Sequence, residues 1–194
     1  MSDPLMMEKD QGGGDFAEIP PCPAGVVNAV CTHVEYIGMH EHTWQGETKS
    51  RKRMIILWEV SHLIETEGEF KGKPFMLSKE YTHSIAPTSN LYKDYCSWLG
   101  KKDLENTDYP IDWRKMIGSG ATLNVIHTEP KGPNGKVYAN VASVSPPMDG
   151  MPLLIPVAKE VPKWILKKKE IGGVPSITTA ISAEIGNGPS DVPF

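Results

Sequence analysis

The chain has 194 residues, 39% hydrophobic and 23% charged, with 20 basic against 24 acidic side chains and a formal charge of −4. That length suits one compact domain with some tail, and no apolar run approaches the roughly 18–20 residues of a membrane-spanning helix. The negative balance excludes a global positive field, so any nucleic-acid site must be built from local patches.

The first 20 residues carry five acids and one lysine around Gly12-Gly13-Gly14. Such a segment buries too little apolar surface to offset ordering, so 1–21 reads as a flexible acidic arm. It also lacks the apolar core of a signal peptide. Three cysteines at unrelated spacings, Cys22, Cys31 and Cys96, form no disulfide framework. Both features predict a cytoplasmic protein with buried structural thiols.

Residues 22–149 read as the folded domain. Gly25–Gly38 has Val26, Val30, Val34 and Tyr36 on one parity and Val27, Ala29, Cys31 and Ile37 on the other. This predicts a strand buried in part on both sides. His40-Glu41-His42, with His33 nearby, is the best metal candidate, but no fourth ligand completes a closed zinc site and no metal is expected. Trp44-Gln45-Gly46 then leads into Lys49, Arg51, Lys52 and Arg53, and Met54–Val60 is a second, apolar strand. Lys73–His83 alternates, with Phe75, Leu77, Lys79 and Tyr81 on one face, and reads as a third strand.

The period then changes. Leu91, Tyr95, Trp98 and Leu99 fall at helical spacing, with Thr88 or Ser89 as N-cap and Gly100 as the stop. A short helical turn is expected at Asp112–Ile117, followed by strands at Ala121–Thr128 and Gly135–Val144 with a hairpin turn at Pro133-Asn134-Gly135. From residue 150 the composition shifts to Pro, Gly, Ser and Thr, so 150–194 reads as a flexible tail. Within it, Lys163-Trp164-Ile165-Leu166-Lys167-Lys168-Lys169 admits two readings, a basic amphipathic patch or a linker that docks an aromatic on its own domain. Five strands with a helix between the third and fourth is the order of a mainly β, OB-fold barrel, whose exposed face and loops bind oligonucleotides.

No Walker A loop, nucleophile elbow or cysteine nucleophile signature is present, and no spacing forces carboxylates together for metal-dependent nuclease work. A non-enzyme without cofactor is expected. Non-specific single-strand binding needs cations along the phosphates and rings on which bases stack. Trp44, Lys49, Arg51, Arg53, Lys73, Phe75, Lys79 and Tyr81 supply that mixture. Core packing is an equally good reading of Phe75 and Tyr81, because pattern alone does not orient a period-2 face. Trp58 and Trp98, on apolar faces, read as core.

The chain ends Gly188-Pro189-Ser190-Asp191-Val192-Pro193-Phe194. Asp191, Val192, Pro193 and Phe194 resemble the Asp-aliphatic-Pro-Phe tip of bacterial and phage single-stranded DNA-binding proteins, which recruits replication, recombination and repair proteins. Family tips carry several consecutive acids, whereas Pro189-Ser190 precede a single acid here, which implies weaker recruitment or a different partner. The domain is similar to phage-encoded OB-fold single-stranded DNA-binding proteins in Tyr36-Ile37-Gly38, Trp44-Gln45-Gly46, the Lys/Arg group, Trp58-Glu59 and the stretch from Leu91 to Gly100. The resemblance implies a protein that coats single-stranded DNA during phage replication or recombination in the host cytoplasm. Its expected partners are single-stranded DNA and, through the tip, replication and recombination proteins. Self-association through strand edges is left open, and no membrane partner is expected. The alternative is a β-barrel protein–protein interaction module without nucleic-acid binding.

Overall fold

The computed structural model describes residues 19–44, 46–100, 104, 111–130, 135, 137–150 and 154–174. The β-branched and apolar stretches on either side of Gly46 build one long hairpin, β1 (Gly25–Trp44) and β2 (Glu47–Leu63). Gly46 takes φ +81°, the left-handed backbone that closes the turn, and Trp44 pairs with Glu47 across it. β3 (Pro74–Thr82), β4 (Gly120–His127) and β5 (Ala139–Ser145) complete one antiparallel sheet in the order β3-β2-β1-β4-β5. The protein is thus mainly β, with a five-stranded antiparallel sheet and, among the described residues, two α-helices of nine or ten residues. The hairpin turn expected at Pro133-Asn134-Gly135 falls, apart from Gly135, outside the described residues.

The edge strands β3 and β5 approach each other, and Lys79 Nζ donates to the Ala142 carbonyl at 2.9 Å. That is a side-chain link; no backbone ladder joins the two edges among the described residues, and the sheet is not closed into a barrel. Helix α1 (Asn90–Leu99) packs against both edge strands. Ser89 caps it as its residue type favours, its Oγ accepting from the Tyr92 amide at 3.1 Å, and Gly100 stops it at φ +90°. Leu91 and Trp98 are its buried residues, as the helical spacing predicts. Trp98 stacks at a tilt on Trp58, centroids 5.9 Å apart, and its indole N–H donates to the Gly120 carbonyl at 2.6 Å.

Two bulges in β1, at Cys31/His33 and Tyr36/Gly38, break the regular alternation. An extra residue in a strand moves the following side chains to the other face. Strict parity therefore misplaces Val34 and Tyr36. They lie on the same face as Cys31, beside Met54, instead of opposite to it. Ile37 falls on the far side with Ile55 and Leu57.

β2 is buried on both faces from Met54 to Val60. Met54, Ile56, Trp58 and Val60 enter the main core under α1, while Ile55 and Leu57 face the other way. The expectation of a flexible tail from residue 150 does not hold for 154–174, which cover this second face. Helix α2 (Lys163–Ile171) buries Ile165 completely against Ile37, Ile55 and Leu57. Lys168 pairs with Glu80 at 2.5 Å and Lys169 pairs with Glu35. Upstream, the buried Glu59 carboxylate accepts from the Val157 and Ala158 amides at 2.7 and 2.6 Å. The reason this was not legible is that two isolated apolar side chains, Val161 and Ile165, and a set of polar links do the docking, which leaves no periodic apolar stripe to read.

The end of α2 meets β1 backbone to backbone. Gly172 O accepts from the Met39 amide at 3.0 Å, and a Cβ at Gly38 (φ +89°) would collide with that carbonyl. We expect Gly38→Ala to lower the denaturation midpoint and expose 154–174 to proteolysis. Gly118→Ala, also at positive φ (+86°) but in open space, should cost only about 1–2 kcal/mol and leave α2 protected. Equal effects from the two substitutions would show that the close approach does not hold α2.

Candidate nucleic-acid interface

Past Gly38 and Arg53 the hairpin leaves the sheet as a two-stranded arm, with Met39 opposite Lys52, His40 opposite Arg51 and His42 opposite Lys49. Among the described residues no third strand pairs with the arm; only its root is bonded from outside, Met39 N–H donating to Gly172 O and Lys52 O accepting from His83 N–H, and most of its side chains are exposed. Arg51 and Lys52 stand in solvent without an ion pair among the described residues, whereas Lys49 pairs with Glu47 at 2.7 Å.

At the root of the arm, on the α1 side of the sheet, is an open cleft of about 260 Å³. Val34, Met54 and Ile111 line its apolar part; Tyr36, His83 and Trp113 supply rings, and Asp112 and Arg114 the charges. A 3₁₀ turn, Trp113–Met116, brings in the last group. Asp112 caps it, Oδ1 accepting from the Arg114 amide at 3.1 Å, and the same carboxylate takes two bonds from the Arg114 guanidinium at 2.8 and 3.0 Å. Two hydrogen bonds in a fork hold both groups in one orientation.

The rings form a chain of edge-on contacts: Tyr36 to His83 at 5.5 Å, His83 to Trp113 at 6.2 Å, and Trp113 to Tyr95 at 5.8 Å. Trp113 Nε1–H donates to His83 Nε2 at 3.1 Å, so that nitrogen is the acceptor and the neutral imidazole carries its proton on Nδ1. Burial, and then the charge of Lys52, hold His83 below the ordinary imidazole pKa. In each edge-to-face contact one ring covers a face of its neighbour, but Tyr36, 40% exposed, and His83 keep ring surface in solvent, whereas Trp113 is half-buried against the core. Lys115, exposed and without an ion pair among the described residues, stands beside Arg114.

The residues singled out in the sequence divide sharply. Tyr81 is in the core, 2% exposed, its hydroxyl donating to Asp94 at 2.8 Å. Burial, and then the Asp94 charge, push its pKa up. Phe75 is half-buried against the same core. The core reading thus describes both rings, and neither is a free stacking platform. Lys79 is tied to Asp94 at 2.7 Å as well as to the Ala142 carbonyl. Arg53 binds Glu80 and Thr82, both at 2.9 Å. Burial pushes the Glu80 carboxyl up, but the hydrogen bonds and charges of Lys168 and Arg53 outweigh it and hold the pKa below the usual range. Arg53 and Lys79 are thus fold-stabilising cations. Lys73 is exposed and sits over the Phe70 ring at 4.9 Å, on the far turn of the sheet. Trp44 ends β1 at the tip of the arm. Asp191, Val192, Pro193 and Phe194 lie outside the described residues.

Tyr36, His83 and Trp113 escaped the sequence reading. The one local signal was Trp113-Arg114-Lys115, an aromatic followed by two cations. Tyr36 was hidden by the bulge that reverses its face. The histidines considered for a metal are dispersed: His33 is buried in β1 and His40 Nε2 is bonded to the Ile37 carbonyl at 2.9 Å. Among the described residues no three His, Cys, Asp or Glu side chains converge to hold a metal ion. Cys31 is buried, and desolvation drives its thiol pKa up to about 12; Cys22 is also buried, whereas Cys96 is only half-buried.

The His83 environment predicts a pH dependence. The unfolded chain takes up a proton in the ordinary imidazole range, where the folded chain does not, so folding stability falls as pH drops through that range. His83→Gln should flatten the slope between about pH 7.5 and 5.5, read by urea denaturation at each pH; an unchanged slope would place the titration elsewhere. Neither a protein-family model nor a curated protein matches the chain.

Proposed function

We propose that this protein binds single-stranded DNA without sequence preference. The observation that carries the reading is the cleft at the root of the arm, where the exposed rings of Tyr36 and His83 and the half-buried Trp113 adjoin Lys52 and Lys115, with Arg114 held beside them by Asp112. Bases unstacked from a single strand offer flat faces to such rings, while the cations lie where the phosphates would run. A duplex keeps its bases stacked and inaccessible to an edge-lined cleft.

The sheet order supports an OB-type reading of the fold. β1 is central, paired with both β2 and β4, a helix lies between β3 and β4, and the edges β3 and β5 converge. In OB-folds the loop between the first two strands flanks the oligonucleotide groove, which is the position of the arm carrying Arg51 and Lys52 here. A role in coating single strands during phage replication or recombination, and recruitment of partner proteins through Asp191–Phe194, rest on the resemblances in the sequence.

Titration with oligo(dT), followed by tryptophan fluorescence, tests the proposal. Stacking contributes about 1–3 kcal/mol per base, so Trp113→Ala should weaken binding by roughly 5- to 150-fold. Tyr81→Phe should lower stability by about 1 kcal/mol and leave affinity unchanged. With about four phosphates neutralised, log K should fall against log salt with a slope near −3. Absence of binding, or equal affinity for duplex, would overturn the proposal and favour a module that binds only protein.

A further inference from the structure

α2 docks through one side of its cylinder. Ile165, Lys168 and Lys169 face the sheet, and they account for its buried apolar contact and both its ion pairs. The remaining circumference carries Lys163, Trp164, Leu166, Lys167, Glu170 and Ile171. Trp164 is 45% exposed, and Lys163 and Lys167, one turn apart, form no ion pair among the described residues. Docking requires none of these three side chains. An indole held half in solvent on the same exposed side of the helix as two lysines without ion pairs is again a ring with cations nearby.

The position of this face matters as much as its composition. α2 ends at Gly172, against Ile37, Gly38 and His40, directly behind the root of the arm. The cleft lies on the opposite side of the same root, beside Tyr36. Lys52 and Arg51 are consecutive, so their side chains point to opposite faces of the arm. Lys52 is on the cleft side, where its charge acts on His83, and Arg51 is on the α2 side, opposite His40. Because the arm is only two strands wide, a flexible strand can pass around it from one face to the other.

Resting on the cleft as a single-strand site, we propose that Lys163, Trp164 and Lys167 form a second contact surface for the same DNA strand, reached around the arm by way of Lys52 and Arg51. The helix face from Ile171 back to Trp164 spans about 10 Å, room for one or two nucleotides. Charge selects the occupant: the exposed cations of this face outnumber its single acid, Glu170, which suits a polyanion.

The test compares two oligonucleotides, (dT)8, which fills the cleft alone, and (dT)25, which is long enough for both faces. Trp164→Ala, and separately the double variant Lys163→Gln/Lys167→Gln, should weaken (dT)25 binding by about 5- to 100-fold and change (dT)8 binding less than twofold. Trp113→Ala should weaken both. Thermal denaturation checks that α2 stays docked, which the exposure of the substituted groups favours.

If the α2 variants bind (dT)25 as the wild type does while Trp113→Ala is impaired, the cleft stands and the second surface falls. An equal loss for both lengths would also overturn it, since that marks an indirect effect on the cleft. If the wild type binds neither oligonucleotide, the cleft reading fails and takes this one with it. Co-sedimentation with anionic phosphatidylserine vesicles that depends on Trp164, without any effect on DNA, would assign the face to a membrane surface instead.

Discussion

The burial of β2 on both faces is the constraint from which the rest follows. Seven consecutive residues, Met54–Val60, are withdrawn from water, and a strand presents successive side chains to opposite sides. One sheet face can be covered by α1, but the other needs a separate cover. That cover is 154–174, and its attachment is economical. One fully buried isoleucine gains roughly 1.5–3 kcal/mol from transfer, while Glu59, Glu80 and Glu35 fix its position through hydrogen bonds and charge. The buried Glu59 is tolerated because two backbone amides satisfy its oxygens, and those amides in turn gain partners that a free segment would find only in water.

The same arrangement separates cations that hold the fold from cations open to a ligand. Arg53, Lys79, Lys168 and Lys169 all lie on or against the sheet and are matched by Glu80, Asp94 or Glu35. Arg51 and Lys52 lie on the arm past the end of β3, and Lys115 on the 3₁₀ turn beside Asp112; none of the three forms an ion pair among the described residues. In sequence the two classes are interleaved, Arg51 and Arg53 being two residues apart. What divides them is where β3 stops: Arg53 pairs across to Thr82, the last residue of β3, and Arg51 pairs only with His40 of β1 among the described residues.

Much of the architecture was legible because it depends on local patterns. The alternation of Lys73–His83 and the spacing of Leu91, Tyr95, Trp98 and Leu99 translate directly into β3 and α1. The site was less legible, for two physical reasons. A bulge is set by backbone geometry and leaves no mark in the residue types, so Tyr36 appeared on the wrong face. The pairing of a cation with a carboxylate 27 residues away, as in Arg53 with Glu80, is a tertiary event that composition does not reveal. The covering segment was missed for a related reason: its strongest links run from side chains of the sheet to its backbone, and any sequence has backbone amides.

The covering segment has a consequence for synthesis. A polypeptide emerges from the ribosome N-terminus first, so β1, β2 and β3 are complete well before 154–174 leave the exit tunnel. During that interval Ile37, Ile55 and Leu57 form an uncovered apolar strip on a hairpin whose arm also has unpaired edges. Such surfaces favour association between nascent chains. The charged side chains along the arm, Glu41, Glu47, Lys49, Arg51 and Lys52, then have a role independent of any ligand, because charges on an open strand edge disfavour its pairing with another chain until α2 arrives to close the second face.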